Sequence, residues 1–293
     1  VDLKFVGSAG GGTYVLDANF TLIPKILISK TSGLNGTRVE INGYGFSADK
    51  KATLWVDSTK IKDDISIDSQ GHLQYTWIVA DQTAGAKTLK VEDNETGKFD
   101  TASFTVRGSI KSVGPLSGRP GTKVTVELEG YGTSWENVKV EVLEKSASDT
   151  TPTLTAEEID ESKGYYKFHF FVPETQYGPT LFRVYDNEES RIFTFGVTST
   201  ISLSRTSAKV GDSVTVTGKG FLDAAVTIYL DSITVATVSA DDVNANGTFT
   251  KTFDVPEAAK GDHTVRAAQA DTSASATLTI NRNITQAAEG DKK

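Results

Sequence analysis

The sequence predicts an all-β protein built of tandem β-sandwiches, and three observations carry that reading. Apolar and polar residues alternate at the period of a half-buried strand, as in Val124, Val126 and Leu128 around Thr125 and Glu127, or Val214 and Val216 around Thr215. Turn signals return every ~8–12 residues, among them Asn35-Gly36, Asn42-Gly43 and Asn246-Gly247. The same blocks then recur three times in one order. No segment keeps a helical period for more than about two turns. Leu154 to Ser162 comes nearest and is expected to make a single turn at most.

The first block reads Gly36-Thr-Arg-Val-Glu-Ile-Asn-Gly-Tyr-Gly-Phe46, then Gly121-Thr-Lys-Val-Thr-Val-Glu-Leu-Glu-Gly-Tyr-Gly132, then Gly211-Asp-Ser-Val-Thr-Val-Thr-Gly-Lys-Gly-Phe221. Its Gly-x-Gly pairs fall at Gly43/Gly45, Gly130/Gly132 and Gly218/Gly220, 87 and 88 residues apart. A second block runs from Asp68, Glu161 and Asn244 through a turn glycine into an aromatic strand. A third closes each unit with two strands: Thr88-Leu-Lys-Val and Ala102-Ser-Phe-Thr-Val, Leu181-Phe-Arg-Val and Ile192-Phe-Thr-Phe, Thr264-Val-Arg-Ala and Ala276-Thr-Leu-Thr-Ile. Seven or so short strands in about 87 residues describe a sandwich of immunoglobulin type. Cysteine is absent, so neither disulfides nor thiolate metal sites are available and the sandwiches must hold by packing.

The 293 residues carry a net charge of −8 and a pI near 5.0, with no basic run, which argues against nucleic acid or an anionic membrane as partner. No stretch approaches the ~18–20 apolar residues of a membrane-spanning helix. The chain has no Met and begins with Val1, so it is read as a processed form or a piece of something longer.

The Gly-Thr-x-Val-x-Val…Gly-x-Gly-Phe block resembles the opening of IPT/TIG domains and related immunoglobulin-like repeats of prokaryotic cell-surface proteins. The later Asn-Gly-x-Phe…Val-Pro…His-Thr-Val block looks like the same repeats, and the resemblance covers residues 24–281. It implies spacers, adhesion units, subunits of surface layers or accessory domains of enzymes, and it specifies architecture rather than activity. The second unit departs from the pattern, with Thr133 in place of the Phe and residues 144–163 inserted as a polar loop.

The domain organisation expected is a unit at 24–107, a second at 108–197 with its insertion at 144–163, a third at 198–281 and a polar tail at 282–293. Residues 1–23 match only the end of a unit: Leu3-Lys-Phe-Val and Ala18-Asn-Phe-Thr-Leu22 align with the strands at Leu89 and Ala102. Either the chain belongs to a longer repeat array, or this hairpin joins a neighbouring subunit's sheet by strand addition. The joints, about three residues from Val106 to Ile110 and from Val197 to Ile201, predict a semi-rigid rod.

Little in the sequence points to catalysis. His72, His169 and His263 sit at non-equivalent positions of three repeats and are not expected to converge on a metal. The Gly-x-Gly pairs lead from strand into more strand, unlike a dinucleotide site, and are read as bends where a side chain would clash. Glu157, Glu158, Asp160 and Glu161 crowd the insertion and are read as a solvated charge run. Asp242 to Gly247 matches the first half of a calcium loop, but Phe253 stands where the bidentate Glu belongs, and a tight Asn-Gly hairpin explains the turn as well. Five Asn-x-Ser/Thr sequons occur, at Asn19, Asn35, Asn94, Asn246 and Asn283. Ten asparagines among 63 Ser and Thr give roughly two by chance, so N-glycosylation is the chemistry best supported.

The reading is an extracellular structural protein, not an enzyme, without cofactor, metal or catalytic residues. It is a subunit of a surface layer, sheath or filament whose partners are copies of itself. The alternative is an adhesin or carbohydrate-binding region of a larger secreted protein, with cell-surface glycans as partners. Trp135, Tyr165, Tyr166 and Tyr177 are the local concentration of aromatics that it would use.

Overall fold

The computed structural model describes residues 2–9, 12–19, 21–143, 146–148 and 150–281, with the backbone alone for 2–9 and 12–19. Contacts gather these residues into two compact units, 1–109 with 128–134 and 160–165, and 110–127 with 135–159 and 166–293. The regular structure of the described residues is nearly all strand, and the sheets pair into immunoglobulin-like sandwiches.

Two strands come first, β1 (Asp2–Ala9) and β2 (Gly12–Asn19), paired only with each other among the described residues. The second strand therefore ends at Asn19, short of the Leu22 that the sequence suggested. The first sandwich uses β3 (Lys25–Ile28), β4 (Ser32–Gly33), β5 (Arg38–Tyr44), β6 (Lys51–Val56), β7 (Thr59–Ser66), β8 (Leu73–Ile78), β9 (Gly85–Asp93) and β10 (Phe99–Val106). The second uses β11 (Ser109–Gly114), β12 (Ser117–Gly118), β13 (Lys123–Glu129), β14 (Lys139–Leu143), β15 (Thr155–Asp160), β16 (Tyr165–Phe171), β17 (Gly178–Tyr185) and β18 (Ser190–Val197). The third uses β19 (Thr200–Leu203), β20 (Ser207–Lys209), β21 (Ser213–Lys219), β22 (Val226–Leu230), β23 (Ile233–Val238), β24 (Phe249–Asp254), β25 (Gly261–Ala268) and β26 (Ser273–Asn281).

The alternation that predicts these strands is also what closes the cores. Val39, Ile41, Leu54, Leu89, Val91 and Phe104 are fully buried between the two sheets of the first sandwich, and Trp77 meets Phe104 edge-on at 5.2 Å. Phe170 and Phe182 meet in the second sandwich at 5.3 Å, Phe221 and Phe249 in the third at 5.0 Å. Aromatic pairs of this kind occupy the centre of a cysteine-free core.

The closing strand pairs share one register. Leu89 lies opposite Ala102, Phe182 opposite Phe193, and Val265 opposite Ala276. In the N-terminal hairpin Leu3 lies opposite Ala18, at the positions the sequence matched to Leu89 and Ala102. In each sandwich this pair is flanked by a short parallel strand on one side and a further antiparallel strand on the other. The order is β4-β10-β9-β6-β7 in the first, β12-β18-β17-β14 in the second and β20-β26-β25-β22-β23 in the third.

One difference in topology separates the second sandwich from the others. In the first and third, β7 and β23 fold back on β6 and β22, extending that five-stranded sheet; the opposite sheets are β3-β5-β8 and β19-β21-β24. In the second, β15 joins the opposite sheet, β11-β13-β16-β15. Turn chemistry accounts for this. Asp57 and Asp231 take positive φ (52° and 53°) in the two-residue turns Asp57-Ser58 and Asp231-Ser232, which reverse the chain at once. Each aspartate is doubly tied to the neighbouring strand: Asp57 donates its N–H to Thr88 O (2.8 Å) and accepts Thr88 N–H on Oδ1 (2.9 Å). Asp231 does the same with Thr264, at 2.7 and 2.9 Å. In the second sandwich the connection from Leu143 to Thr155 is longer, contains Pro152, and leads the chain to the other sheet.

The insertion at 144–163 is thus not wholly a loop. Residues 155–160 form strand β15 rather than a helical turn, because an edge strand needs only one partner's backbone and leaves its carboxylates outside.

The glycine alignment also needs correction. Gly45, Gly130 and Gly220 are the equivalent positions, 85 and 90 residues apart, each with positive φ. The Phe46 and Phe221 position is filled in the second sandwich by Tyr131, not Thr133. Phe46, Tyr131 and Phe221 donate their N–H to Gly71, Gly164 and Gly247 at 3.1, 3.1 and 3.0 Å. Gly43 and Gly218 make room for rings rather than bends: a Cβ on Gly43 would stand 2.8 Å from the Phe46 ring and 2.7 Å from Leu73. Leu128 fills the corresponding space itself, which is why the second sandwich lacks that glycine.

Candidate functional site

The sequon asparagines occupy unlike surroundings. Asn19 ends β2, where only the backbone is described, and Asn283 lies outside the described residues. Asn35 is half-buried; its Nδ2 donates to the Gln82 carbonyl (3.3 Å), and its Oδ1 is enclosed. A Cβ on Gly130 would stand 3.5 Å from that same Nδ2. A glycan is attached through Nδ2, so at Asn35 the contact must first open. Asn94 is exposed in the turn between β9 and β10, its Oδ1 accepting the Thr53 hydroxyl at 2.8 Å, and its Nδ2 has no partner among the described residues. Asn246 is half-buried, its Oδ1 accepting the Thr248 hydroxyl (2.8 Å), while Gln176 Nε2 donates to the adjoining Ala245 carbonyl (3.0 Å). In a glycosylating host, Asn94→Gln is expected to remove one glycan from the intact mass, whereas Asn35→Gln leaves the number of glycans unchanged. A glycan mapped to Asn35 by peptide mass spectrometry would reverse that expectation.

The charged residues make local pairs. Glu157 on β15 accepts from Lys123 on β13 (3.0 Å) and from His169 on β16 (2.8 Å), and Lys167 pairs with Glu127 at 3.0 Å. The Lys123 ammonium, against the opposing effect of burial and with help from His169, holds the Glu157 carboxyl below its ordinary range. Asp160 pairs with Lys163 at 3.2 Å. His72 lies 3.8 Å from Asp68. Among the described residues, no three His, Asp or Glu side chains are placed to hold a metal ion. At the proposed calcium loop Asp242 accepts the Ser239 hydroxyl (2.7 Å) and Asn244 donates to Thr248 (2.9 Å).

His263 is held on both ring nitrogens, Nδ1 2.7 Å from Asp231 Oδ2 and Nε2 2.8 Å from the Ala259 carbonyl. Both partners are acceptors, so only the imidazolium, with two N–H groups, satisfies them together. The Asp231 bond first, and the Ala259 bond second, raise the His263 pKa above 6.5. A raised folded pKa contributes stability in full below the unfolded value of about 6.5 and loses it as pH rises through the folded value. The melting-temperature gap between the parent and His263→Gln is therefore expected to be largest below about pH 6.5 and to shrink as pH rises above it. A gap independent of pH would show that the ring acts by packing alone.

In the aromatic cluster of the second unit, Trp135, Tyr165 and Tyr177 are half-buried. Tyr166 is fully buried, and Trp135 tilts against Tyr166 and Phe168 with centroids at 5.8 and 5.4 Å. Phe171 is instead the ring that reaches solvent, 56% exposed. It lines a cleft of about 380 Å³ with Pro120, Pro152, Pro173, Glu174 and Lys219, the last two paired at 2.6 Å.

Sheet edges are the other feature of the surface, and they differ in how they are guarded. Strand β7 carries Lys60, Lys62, Asp63 and Asp64 and shifts register against β6. Strand β23 is uncharged but holds an extra residue between Ala236 and Thr234, opposite Ile228 and Tyr229. Bulges and charges of this kind discourage edge pairing. Strand β8 has neither: Leu73–Ile78 is uncharged and regular, and Ile78 is 52% exposed. Strand β15 is acidic, with Glu157, Glu158 and Asp160.

Residues that the sequence reading missed act as corner clamps. Asp93 at the end of β9 accepts the Ser47 N–H on Oδ2 (2.6 Å) and the Glu95 and Thr96 N–H groups on Oδ1 (2.9 and 3.1 Å). Gln269, four residues past Val265 as Asp93 is past Leu89, accepts the Leu222 N–H at 2.9 Å. The shared offset was the available signal; the differing residue types concealed it.

No family model matches the chain, and no curated protein matches it. Several solved structures do. A crystal structure of invasin, described as a bacterial integrin-binding protein, is 14% identical over 89% of this chain and 60% of its own, with a TM-score of 0.32. The I9–I11 tandem of titin is 13% identical over 87% of this chain and 99% of its own, with a TM-score of 0.23. The BSP domain of a biofilm associated protein is 12% identical over 88% of this chain and 67% of its own, with a TM-score of 0.22. The chain thus spans 60% of the length of the invasin structure it matches.

Proposed function

We propose that this is an extracellular structural protein, a subunit of a surface layer, sheath or filament that associates with copies of itself through its immunoglobulin-like sandwiches. The IPT/TIG-like repeats of prokaryotic surface proteins are the family we assign it to. The observation that carries the reading is the contrast between the unguarded edge of β8 and the local pairing of most candidate reactive groups. His169 and His263 are held in short hydrogen-bonded pairs, Glu157 and Asp160 of β15 face lysines, and Tyr166 is buried. Such a surface offers backbone for pairing and little for chemistry, so we assign no catalytic role. No helix of the described residues is long and apolar enough to cross a membrane. N-glycans at Asn94 and Asn246 belong to the same proposal.

Electron microscopy of the concentrated protein and of the surface that bears it tests this: ordered arrays or filaments are expected. A monodisperse monomer at every concentration and salt, with no array on the native surface, would sink it. The second reading, a glycan-binding module, draws on exposed Phe171 in its cleft. A glycan array that loses signal with Phe171→Ala would favour it.

A further inference from the structure

Resting on the self-association just proposed, we infer that strand β15 of one copy adds to the open edge of β8 in a second copy. Both are the outermost strands of their sheets, in the orders β3-β5-β8 and β11-β13-β16-β15. Each is six residues long, and β8 runs against β5 without a register shift. The start of β8 is already engaged, through the Ile67–Leu73 bridge and the Asp68 N–H on the His72 carbonyl (2.8 Å). Gln74 to Ile78 have β5 on one side and no strand on the other among the described residues.

The chain itself shows what this edge accepts. Strands β8 and β16 are equivalent, and on β16 the corresponding edge is filled by β15. There Glu157 reaches past β16 to Lys123 on β13. Arg38 on β5 stands where Lys123 stands, immediately before the equivalent valines Val39 and Val124, and it is exposed. An acidic strand arriving on β8 therefore brings a carboxylate to Arg38 as β15 brings one to Lys123. Ile78 (52% exposed) and Ile159 (42% exposed) would cover one another or their neighbours on the joined surface.

Charge selects this pairing over its competitors. Two copies of β15 would align three carboxylates, Glu157, Glu158 and Asp160, against three, and two copies of β8, an uncharged strand, would bring no carboxylate to Arg38. The unlike pairing is heterologous, so it propagates into an open chain instead of closing a dimer.

The absence of cysteine makes the test specific. Thr76→Cys on β8 and Thr155→Cys on β15 are exposed single replacements in a protein with no other thiol. A short thiol–thiol cross-linker applied to the mixture of the two full-length variants is expected to give a mixed dimer in large excess over the dimers either variant forms alone. Arg38→Glu in the Thr76→Cys partner is expected to lower that yield about tenfold, and Arg38→Lys to preserve it. Equal yields of like and mixed dimers, or insensitivity to Arg38→Glu, would overturn this pairing. If the parent forms polymers by sedimentation while the mixed cross-link is absent, β15–β8 addition is wrong and self-association stands. If the parent never associates, both fail together.

Discussion

Replacing Gly71 by alanine is expected to destabilise the first sandwich by about 3 kcal/mol, against about 1 kcal/mol for Gly36→Ala. The two glycines share a left-handed backbone, with φ of 78° and 82°. They differ in surroundings: a Cβ on Gly36 meets nothing within 4 Å, whereas one on Gly71 falls 2.6 Å from the Phe46 carbonyl oxygen. That oxygen is backbone and cannot swing aside, so the turn must open and strain the bond from Phe46 N–H to the Gly71 carbonyl (3.1 Å). The common cost of the conformation cancels between the variants, and the difference isolates the close approach. Chemical denaturation followed by tryptophan fluorescence measures both, since Trp55 and Trp77 report on this sandwich. Equal losses would mean that the turn relaxes freely.

Asp93→Ala is expected to cost about 3 kcal/mol, because it strands three backbone N–H donors at a site where the aspartate is 1% exposed. Burial pushes the carboxyl pKa up, but the N–H donors of Ser47, Thr96 and Glu95 outweigh it and hold the value below 3.8. A depressed folded pKa contributes stability above the unfolded value of about 3.9 and loses it as pH falls through the folded one. The difference in unfolding midpoint between parent and Asp93→Asn should thus be constant near neutrality and shrink below about pH 4. A difference that persists unchanged at pH 2 would show that charge is not what the clamp uses.

Much of the architecture was legible in the residues because a period of two is written locally. Val124, Val126 and Leu128 announce their own burial, and all three are fully enclosed. The N-terminal hairpin was legible for the same reason, through its likeness to the closing strands. Alignment by glycine failed in the second unit because two glycines of different purpose look alike in sequence. Gly130 serves a left-handed backbone, while Gly43 makes room for a neighbouring ring and is replaced by Leu128 in the second unit. The acidic run at Glu157 looked like a solvated loop because its compensation, Lys123 and His169, lies on two other strands. Likewise nothing around Asn35 forecasts that its amide is engaged by Gln82, 47 positions away.

The sequence by itself determined that the chain is all-β, repeats, and builds cysteine-free cores, since periodicity and spacing are properties of neighbouring residues. Only the tertiary structure decided which sheet receives β7, β15 and β23, which asparagines keep a free amide, and which edges stay open. Those outcomes depend on hydrogen bonds between distant strands. Two-residue turns at Asp57 and Asp231 tip the chain one way, and the longer connection from Leu143 to Thr155 leads it the other.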